Sequence, residues 1–190
     1  MLLHQLFEDD KKPQALPSFK LLPARHGPDG GRVGETFPIT YAELNAIFGK
    51  AKNINGDKTS TEWTIRFSNG VVASIYDYKE TSVYSKSLPS PEKFRKSGPH
   101  MWSIGGSMQD IMVKTNIAVR LVYATIFKHW SDDQVMKLAL KVLKDPDAFL
   151  MPGTENKPVK LILAAARMAG KDLPEFAAIE KSLGSPKHDK

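Results

Sequence analysis

The sequence predicts an α+β fold: a small antiparallel sheet built on a β-hairpin, packed by helices and followed by a helical C-terminal part. Three observations lead to this prediction. Asn69-Gly70 lies between two β-rich runs, which is the sequence pattern of a hairpin. Thr40 and Glu43 have the spacing of a helix capping box. Beyond residue 106, apolar side chains recur at helical spacing.

The hairpin pattern predicts a two-residue turn at Asn69-Gly70, because a type I′ turn takes positive φ at both central residues. Such a turn would fix the register as Phe67–Val72, Ile65–Ser74 and Trp63–Tyr76. Side chains alternate along a strand, so one face of this hairpin is predicted to be apolar and aromatic. It would carry Trp63, Ile65, Phe67, Val72 and Tyr76.

The same register places Glu62 opposite Asp77. Facing carboxylates destabilise a ribbon unless a cation or a metal ion compensates them. Pairing with Lys58 and Lys79 is the preferred interpretation, and a metal ion is the alternative.

One more strand is predicted over 100–104, giving a sheet of three or four strands. The connection 79–99 is polar and basic, and a connection of this length is often functional. Two glycines follow the strand, and Ser107 then begins a predicted helix over 107–129. A strand over 117–127 is the alternative to the later part of this helix.

Four further helices are predicted from their start signals. One occupies 39–49 with Thr40 as its N-cap, and the others begin at Ser131, Pro158 and Pro174. The resulting organisation has an irregular Pro- and Gly-rich N-terminal arm, an α+β core, a helical subdomain and a disordered tail. These parts are assigned to 1–38, 39–130, 131–184 and 185–190.

Composition limits the classes of function. The chain has 190 residues, a formal net charge of +6 and no cysteine, so disulfides, thiolate zinc sites and cysteine nucleophiles are excluded. The first ten residues are too acidic for a signal peptide, and no segment has the length of a membrane helix. We therefore expect an intracellular protein without a membrane partner.

Catalytic signatures are missing from the sequence. The five histidines lack metal-ligand spacing, and no nucleophile elbow, Walker loop or dinucleotide fingerprint is present. The sequence therefore assigns no catalytic residue, metal or cofactor, and it favours a non-enzymatic role.

Two local features are candidate binding sites. Cations close to an aromatic residue suit a nucleic-acid backbone and a stacked base, which selects Arg66, Lys79, Lys86, Lys93, Arg95, Lys96 and Trp102. The alternative for Trp102 is a place in the core. Gly105, Gly106 and Ser107 form a candidate phosphate cradle, and a tight turn that needs glycine for its φ angles is the alternative.

The segment 61–79 reads TEWTIRFSNGVVASIYDYK and is followed by Trp-Ser-Ile-Gly-Gly at 102–106. With its surroundings, residues 48–106, it resembles a stretch of small uncharacterised proteins of bacteriophages and large DNA viruses. The resemblance implies a viral origin, hence the cytoplasm of an infected host cell, and carries over no catalytic residue.

The leading hypothesis is a phage or viral accessory protein that binds DNA or RNA, or a nucleic-acid-handling complex, through its basic surface. One alternative is a structural protein that docks on a larger viral or host assembly. The other is a phosphate- or nucleotide-binding protein that uses the Gly-Gly-Ser helix start.

Overall fold

The computed structural model describes residues 15–23, 28–54, 56–109, 116–145 and 158–184. Its strands are β1 Phe19–Leu22, β2 Arg32–Glu35, β3 Lys52–Asn53, β4 Thr61–Phe67, β5 Val72–Tyr76 and β6 Ser103–Gly105. Its helices are α1 Tyr41–Phe48, α2 Pro91–Lys96, α3 Ile117–His129, α4 Asp132–Lys144, α5 Pro158–Met168 and α6 Glu175–Gly184.

All strand pairs are antiparallel, in the order β1-β4-β5-β6-β2, and β3 pairs with the start of β4. The α+β fold class is therefore confirmed. The expected three or four strands were too few, because the predicted irregular arm contributes β1 and β2 to the sheet. Residues 1–14 of that arm and the tail 185–190 lie outside the described residues.

The hairpin between β4 and β5 forms, but its predicted register is wrong. The N–H of Phe67 donates to the carbonyl of Val71 at 2.9 Å, so the loop has three residues, 68–70. Gly70 takes the left-handed conformation with φ +92°, whereas Asn69 does not, as expected for a three-residue hairpin loop. Every pair shifts by one position, to Trp63–Ile75, Thr64–Ser74, Ile65–Ala73 and Glu62–Tyr76.

This register separates the sheet into two faces. The apolar face carries Trp63, Ile65, Phe67, Ala73, Ile75 and Ile104, all of which are buried. The opposite face, which we call the polar sheet face, carries Arg32, Glu35, Glu62, Thr64, Ser74, Tyr76 and Ser103. Val72 and Tyr76, predicted on the apolar face, therefore lie on the polar side.

Helix α3 lies on the apolar face and is the centre of the core. Every residue from 117 to 127 except Arg120 is buried, because the helix packs against the sheet on one side and against α5 on the other. A Cβ atom at Gly34 would come within 2.8 Å of Val119, so β2 and α3 are in close contact. The hydroxyl of Tyr123 donates to the carbonyl of Glu35 at 2.8 Å and joins the same two elements.

The predicted helix starts at Thr40, Ser131 and Pro158 are confirmed. The Thr40 hydroxyl accepts from the N–H of Glu43 at 3.1 Å, and the Glu43 carboxylate accepts from the N–H of Thr40 at 2.9 Å. Ser131 caps α4, and α5 begins at Pro158. Residues 117–127 are helical, which excludes the strand alternative, while residues 110–115 lie outside the described residues.

The connection between β5 and β6 contains an additional helix, α2. Ser90 caps it and Pro91 occupies its first position, a start signal that the sequence analysis overlooked. The rest of the connection is ordered by backbone hydrogen bonds. The N–H of Ser82 donates to Pro89 at 2.8 Å, and that of Lys79 donates to Lys58 at 2.7 Å.

A buried carboxylate fixes the start of β4 to the end of β5. One oxygen of Asp77 accepts from the N–H groups of Ser60 and Thr61, at 2.9 and 2.7 Å, and the other accepts from the Ser60 hydroxyl. Asp77 therefore lies opposite Thr61, and the predicted pairing of Asp77 with Glu62 is wrong.

We expect Asp77→Ala to lower the free energy of unfolding by about 2–4 kcal/mol, since two buried N–H groups lose their acceptor. Asp77→Asn keeps one acceptor oxygen and should lose less than half as much. Urea denaturation measures both values. Equal losses in the two variants would contradict the acceptor role.

Candidate nucleic-acid interface

Exposed aromatic side chains are concentrated just after β5. Tyr78 is 36% exposed and Tyr84 is 46% exposed, and Val83 between them is also exposed. Only two other large apolar side chains of the described residues are exposed, Met108 and Leu140. Segment 78–84 is therefore the main apolar surface of the part of the chain that the structure describes.

Lys79 lies between the two tyrosines. Its ammonium nitrogen is 5.3 Å from the ring centroid of Tyr78 and 4.9 Å from that of Tyr84, within cation–π range. Lys79 also has φ +64°, a left-handed conformation that costs a non-glycine residue about 1–2 kcal/mol. We call Tyr78, Lys79 and Tyr84 the tyrosine–lysine platform.

The platform continues the polar sheet face. Tyr76 and Tyr78 are two positions apart, and side chains at that spacing project from the same side of an extended chain. Their rings meet edge to face, with centroids 6.3 Å apart and an interplanar angle of 87°. A ligand on the platform would thus border the last residue of β5.

Across the sheet, the polar face is ordered in rows. Glu62, Tyr76, Ser103 and Glu35 are cross-strand neighbours on four successive strands, so adjacent members have Cβ atoms roughly 5 Å apart. A second row holds Thr64, Ser74, Gly105 and Arg32. The guanidinium of Arg32 forms an ion pair with Glu35, which links the ends of the two rows.

Glu62 is the distinctive member of the first row. One of its oxygens accepts from the Thr64 hydroxyl, and no lysine or arginine among the described residues lies at salt-bridge distance, although Lys52 is its neighbour on β3. Burial raises the pKa of the Glu62 carboxyl; the Thr64 hydrogen bond lowers it and the charge of Asp77 raises it further.

The basic residues that the sequence selected are divided between two regions. Arg66 is exposed on the same side of the sheet as the polar face, next to Lys20 of β1. It lies five residues along β4 from Thr61, or roughly 17 Å from the end that carries the platform. Lys79, Lys86, Lys93, Arg95 and Lys96 all belong to the β5–β6 connection.

Helix α2 supplies the last three of these cations. Its Arg95 donates to Asn53 at 2.8 Å and lies over the ring of Tyr41 at 5.7 Å. Lys96 pairs with Glu92 at 2.7 Å, and its hydrogen bond and charge lower the pKa of that carboxyl. Tyr41, Glu92, Arg95 and Lys96 line a shallow cavity of about 370 Å³.

Trp102 is fully buried, in agreement with the core interpretation rather than with base stacking. Its indole N–H donates to the carbonyl of Ile39 at 3.0 Å, and its ring meets Trp63 edge to face at 5.3 Å. The ring has no accessible face, so we leave Trp102 out of the interface.

The glycines of the candidate phosphate cradle are required for space. The N–H of Gly106 donates to the carbonyl of Gly31 at 3.1 Å, so it is not available to an anion. A Cβ atom at Gly106 would lie 2.9 Å from both methyl groups of Val33, and one at Gly105 would collide with the Ser74 hydroxyl. Neither glycine has positive φ, so the alternative based on φ angles is wrong.

Sequence reasoning overlooked Tyr78 and Tyr84. The available signal was their position on either side of Lys79, a cation already selected.

In the part of the chain described, no group of three metal-ligating side chains occurs, and no helix has the length and apolarity needed to cross a membrane.

Comparison with known protein families and with curated proteins finds no match to this chain. The viral resemblance of residues 48–106 therefore stays a prediction.

The raised pKa of Glu62 leads to a pH-dependent stability difference. Above that pKa the Glu62 carboxyl is charged in both states, but the charge is poorly solvated only in the folded protein. Below the ordinary value of 4.5 the group is neutral in both states. We expect Glu62→Gln to melt at a higher temperature than the wild type at pH 7, and the difference to vanish towards pH 4. Thermal unfolding at both pH values measures it.

Glu92→Gln is the matched control, because the pKa of Glu92 is lowered instead. That variant should be no more stable than the wild type at pH 7. A melting temperature of Glu62→Gln at or below that of the wild type at pH 7 would contradict the unfavourable environment inferred for Glu62.

Proposed function

We propose that this protein binds single-stranded nucleic acid on the tyrosine–lysine platform, without catalysing a reaction on it. The observation that carries the proposal is the pair of exposed tyrosines, Tyr78 and Tyr84, held on either side of the ammonium of Lys79. Aromatic rings on which bases stack, combined with cations along the backbone path, are the usual means of binding single strands.

Two features support an arrangement that is formed before a ligand arrives. Backbone hydrogen bonds from Lys79 to Lys58 and from Tyr84 to Thr81, at 2.7 and 2.9 Å, hold the residues of the platform. Lys79 also keeps a strained left-handed conformation, and strain of this kind is often retained where a residue has a function. The loop would then need little further ordering when a ligand binds, so the entropic cost of binding would be small.

Charge supports the same conclusion. The net charge is +6, and the exposed Lys86 and Lys93 lie in the same connection as the platform. Phosphate contacts of this kind make affinity depend on salt. A role as a phage or viral accessory protein is part of the proposal, and it rests on the resemblance of residues 48–106.

Protein docking is the second candidate function, and the exposed Val83 favours it because an aliphatic side chain adds nothing to base stacking. In this case the same segment would bind a protein of a larger assembly. A Val83→Asp variant that loses a partner protein but still binds oligonucleotides would separate the two functions.

We expect Tyr78→Ala and Tyr84→Ala each to weaken binding of a fluorescent single-stranded oligonucleotide by about 1–3 kcal/mol, the usual contribution of one stacked base. Tyr78→Phe and Tyr84→Phe keep the ring and should bind as the wild type does. Fluorescence anisotropy with single-stranded DNA and RNA, at low and moderate salt, measures the affinities, and duplexes of the same sequence serve for comparison.

Absence of binding at low salt would overturn the proposal, since phosphate contacts are strongest there. Binding that is unchanged in both alanine variants would remove the platform from the interface. The Arg66→Ala variant would then test the opposite end of the sheet.

The Lys79→Gly variant separates binding from folding. Glycine adopts positive φ without strain, so we expect the free energy of unfolding to stay constant or to rise by up to about 1 kcal/mol. Affinity for the oligonucleotide should fall, and its dependence on salt concentration should become less steep, because a phosphate contact is lost.

Lys137→Ala, which removes an exposed lysine that pairs with Asp133 on α4, is the control for net charge. An equal loss of affinity in the two variants would show that only the overall charge matters.

A further inference from the structure

Glu62 and Tyr76 form an unusual pair at the border of the platform. They are direct cross-strand neighbours on the polar sheet face. The side chain of each is half-buried, yet the Glu62 carboxylate bonds only to the Thr64 hydroxyl, and the Tyr76 hydroxyl bonds to no described residue. The unbonded Glu62 oxygen and the Tyr76 hydroxyl are not fully enclosed, since neither is among the buried polar atoms without a partner.

A carboxylate is informative in a surface that binds nucleic acid. It repels phosphate and cannot donate a hydrogen bond, so the parts of a nucleotide that it can contact favourably are N–H groups of the base and hydroxyls of the sugar. The Glu62 carboxyl has no cationic partner among the described residues, although Lys52 is its neighbour on β3. The carboxylate therefore remains free to accept from a ligand.

We propose that Glu62 and Tyr76 recognise guanine in the nucleotide next to the one stacked on Tyr78. This inference rests on the proposed function. The Watson–Crick edge of guanine presents two adjacent donors, N1–H and the N2 amino group, beside the acceptor O6. The two oxygens of a carboxylate match the two donors, and a phenol hydroxyl can donate to O6.

The other bases fit this pair of groups less well. Adenine and cytosine offer one amino donor beside an unprotonated ring nitrogen, which a carboxylate repels. Thymine and uracil offer a single N–H between two carbonyls. The pair thus satisfies two donors only with guanine, and a good bidentate contact of this type gives about 5- to 150-fold discrimination.

The position of the pair agrees with this role. The ring of Tyr76 meets that of Tyr78 edge to face at 6.3 Å, so Tyr76 lies between the platform and Glu62. A strand that stacks one base on Tyr78 has its neighbouring nucleotide beside Tyr76.

The test uses the full chain, an all-thymine oligonucleotide and three versions of it in which one central base is replaced. Fluorescence anisotropy would compare thymine alone with single substitutions by guanine, adenine or hypoxanthine, which is guanine without its N2 amino group. We expect guanine to bind about 10-fold more tightly than thymine. Hypoxanthine should lose most of this advantage because one of the two donors is missing.

Glu62→Gln is expected to abolish the preference for guanine, because an amide presents a donor where guanine also has a donor. Its affinity for the all-thymine oligonucleotide should match that of Glu92→Gln. Glu92→Gln is the control because it makes the same change of net charge at an exposed side chain of α2. Thermal unfolding of each variant verifies that the fold is intact.

The outcomes separate the two proposals. If all four oligonucleotides bind equally to the wild type, base recognition is overturned while the proposed function stands. A guanine preference that survives in Glu62→Gln would also overturn it, because the preference would then come from stacking. If no oligonucleotide binds at low salt, the proposed function fails and this inference fails with it.

Discussion

The register between β4 and β5 determines what each face of the sheet can do. Side chains alternate with a period of two, so a shift of one residue moves a whole strand to the opposite face. A two-residue loop would have put Tyr76 among the core residues around Trp63. The three-residue loop, which needs the left-handed conformation of Gly70, puts Tyr76 beside Glu62 on the polar face instead. The position of Tyr78 follows from that of Tyr76, and so does the platform.

The other face is closed by the core. Helix α3 is enclosed between the sheet and α5, and its Tyr123 is bonded to β2 through the carbonyl of Glu35. A helix buried on both sides must be apolar around most of its circumference, and in α3 every residue from 117 to 127 except Arg120 is buried. The polar sheet face is itself largely buried at Thr64, Ser74 and Ser103, so its half-buried border at Glu62 and Tyr76 and the exposed β5–β6 connection are the parts considered for a partner.

Helix caps were predictable from the sequence, whereas the hairpin register and the long-range strand pairs were not. The caps Thr40 and Ser131 act within one turn of their own helices, so sequence spacing was sufficient to find them. Strands β1 and β2 have four residues each and depend on partners more than 40 residues away, in β4 and β6. The space needed at Gly106 is set by Val33. For the interface, charge selected Lys79, but the exposure of Tyr78 and Tyr84 depends on the folded loop.

Two acidic residues near the end of the hairpin show how a structural carboxylate differs from one available to a ligand. Both have a pKa raised chiefly by burial. In Asp77, both oxygens accept hydrogen bonds from Ser60 and Thr61, which join β4 to β5. Glu62 accepts only from Thr64 and reaches the surface beside Tyr76. The Glu62 side chain therefore joins no second strand, and in the proposal above it is the acceptor for a donor group of the ligand.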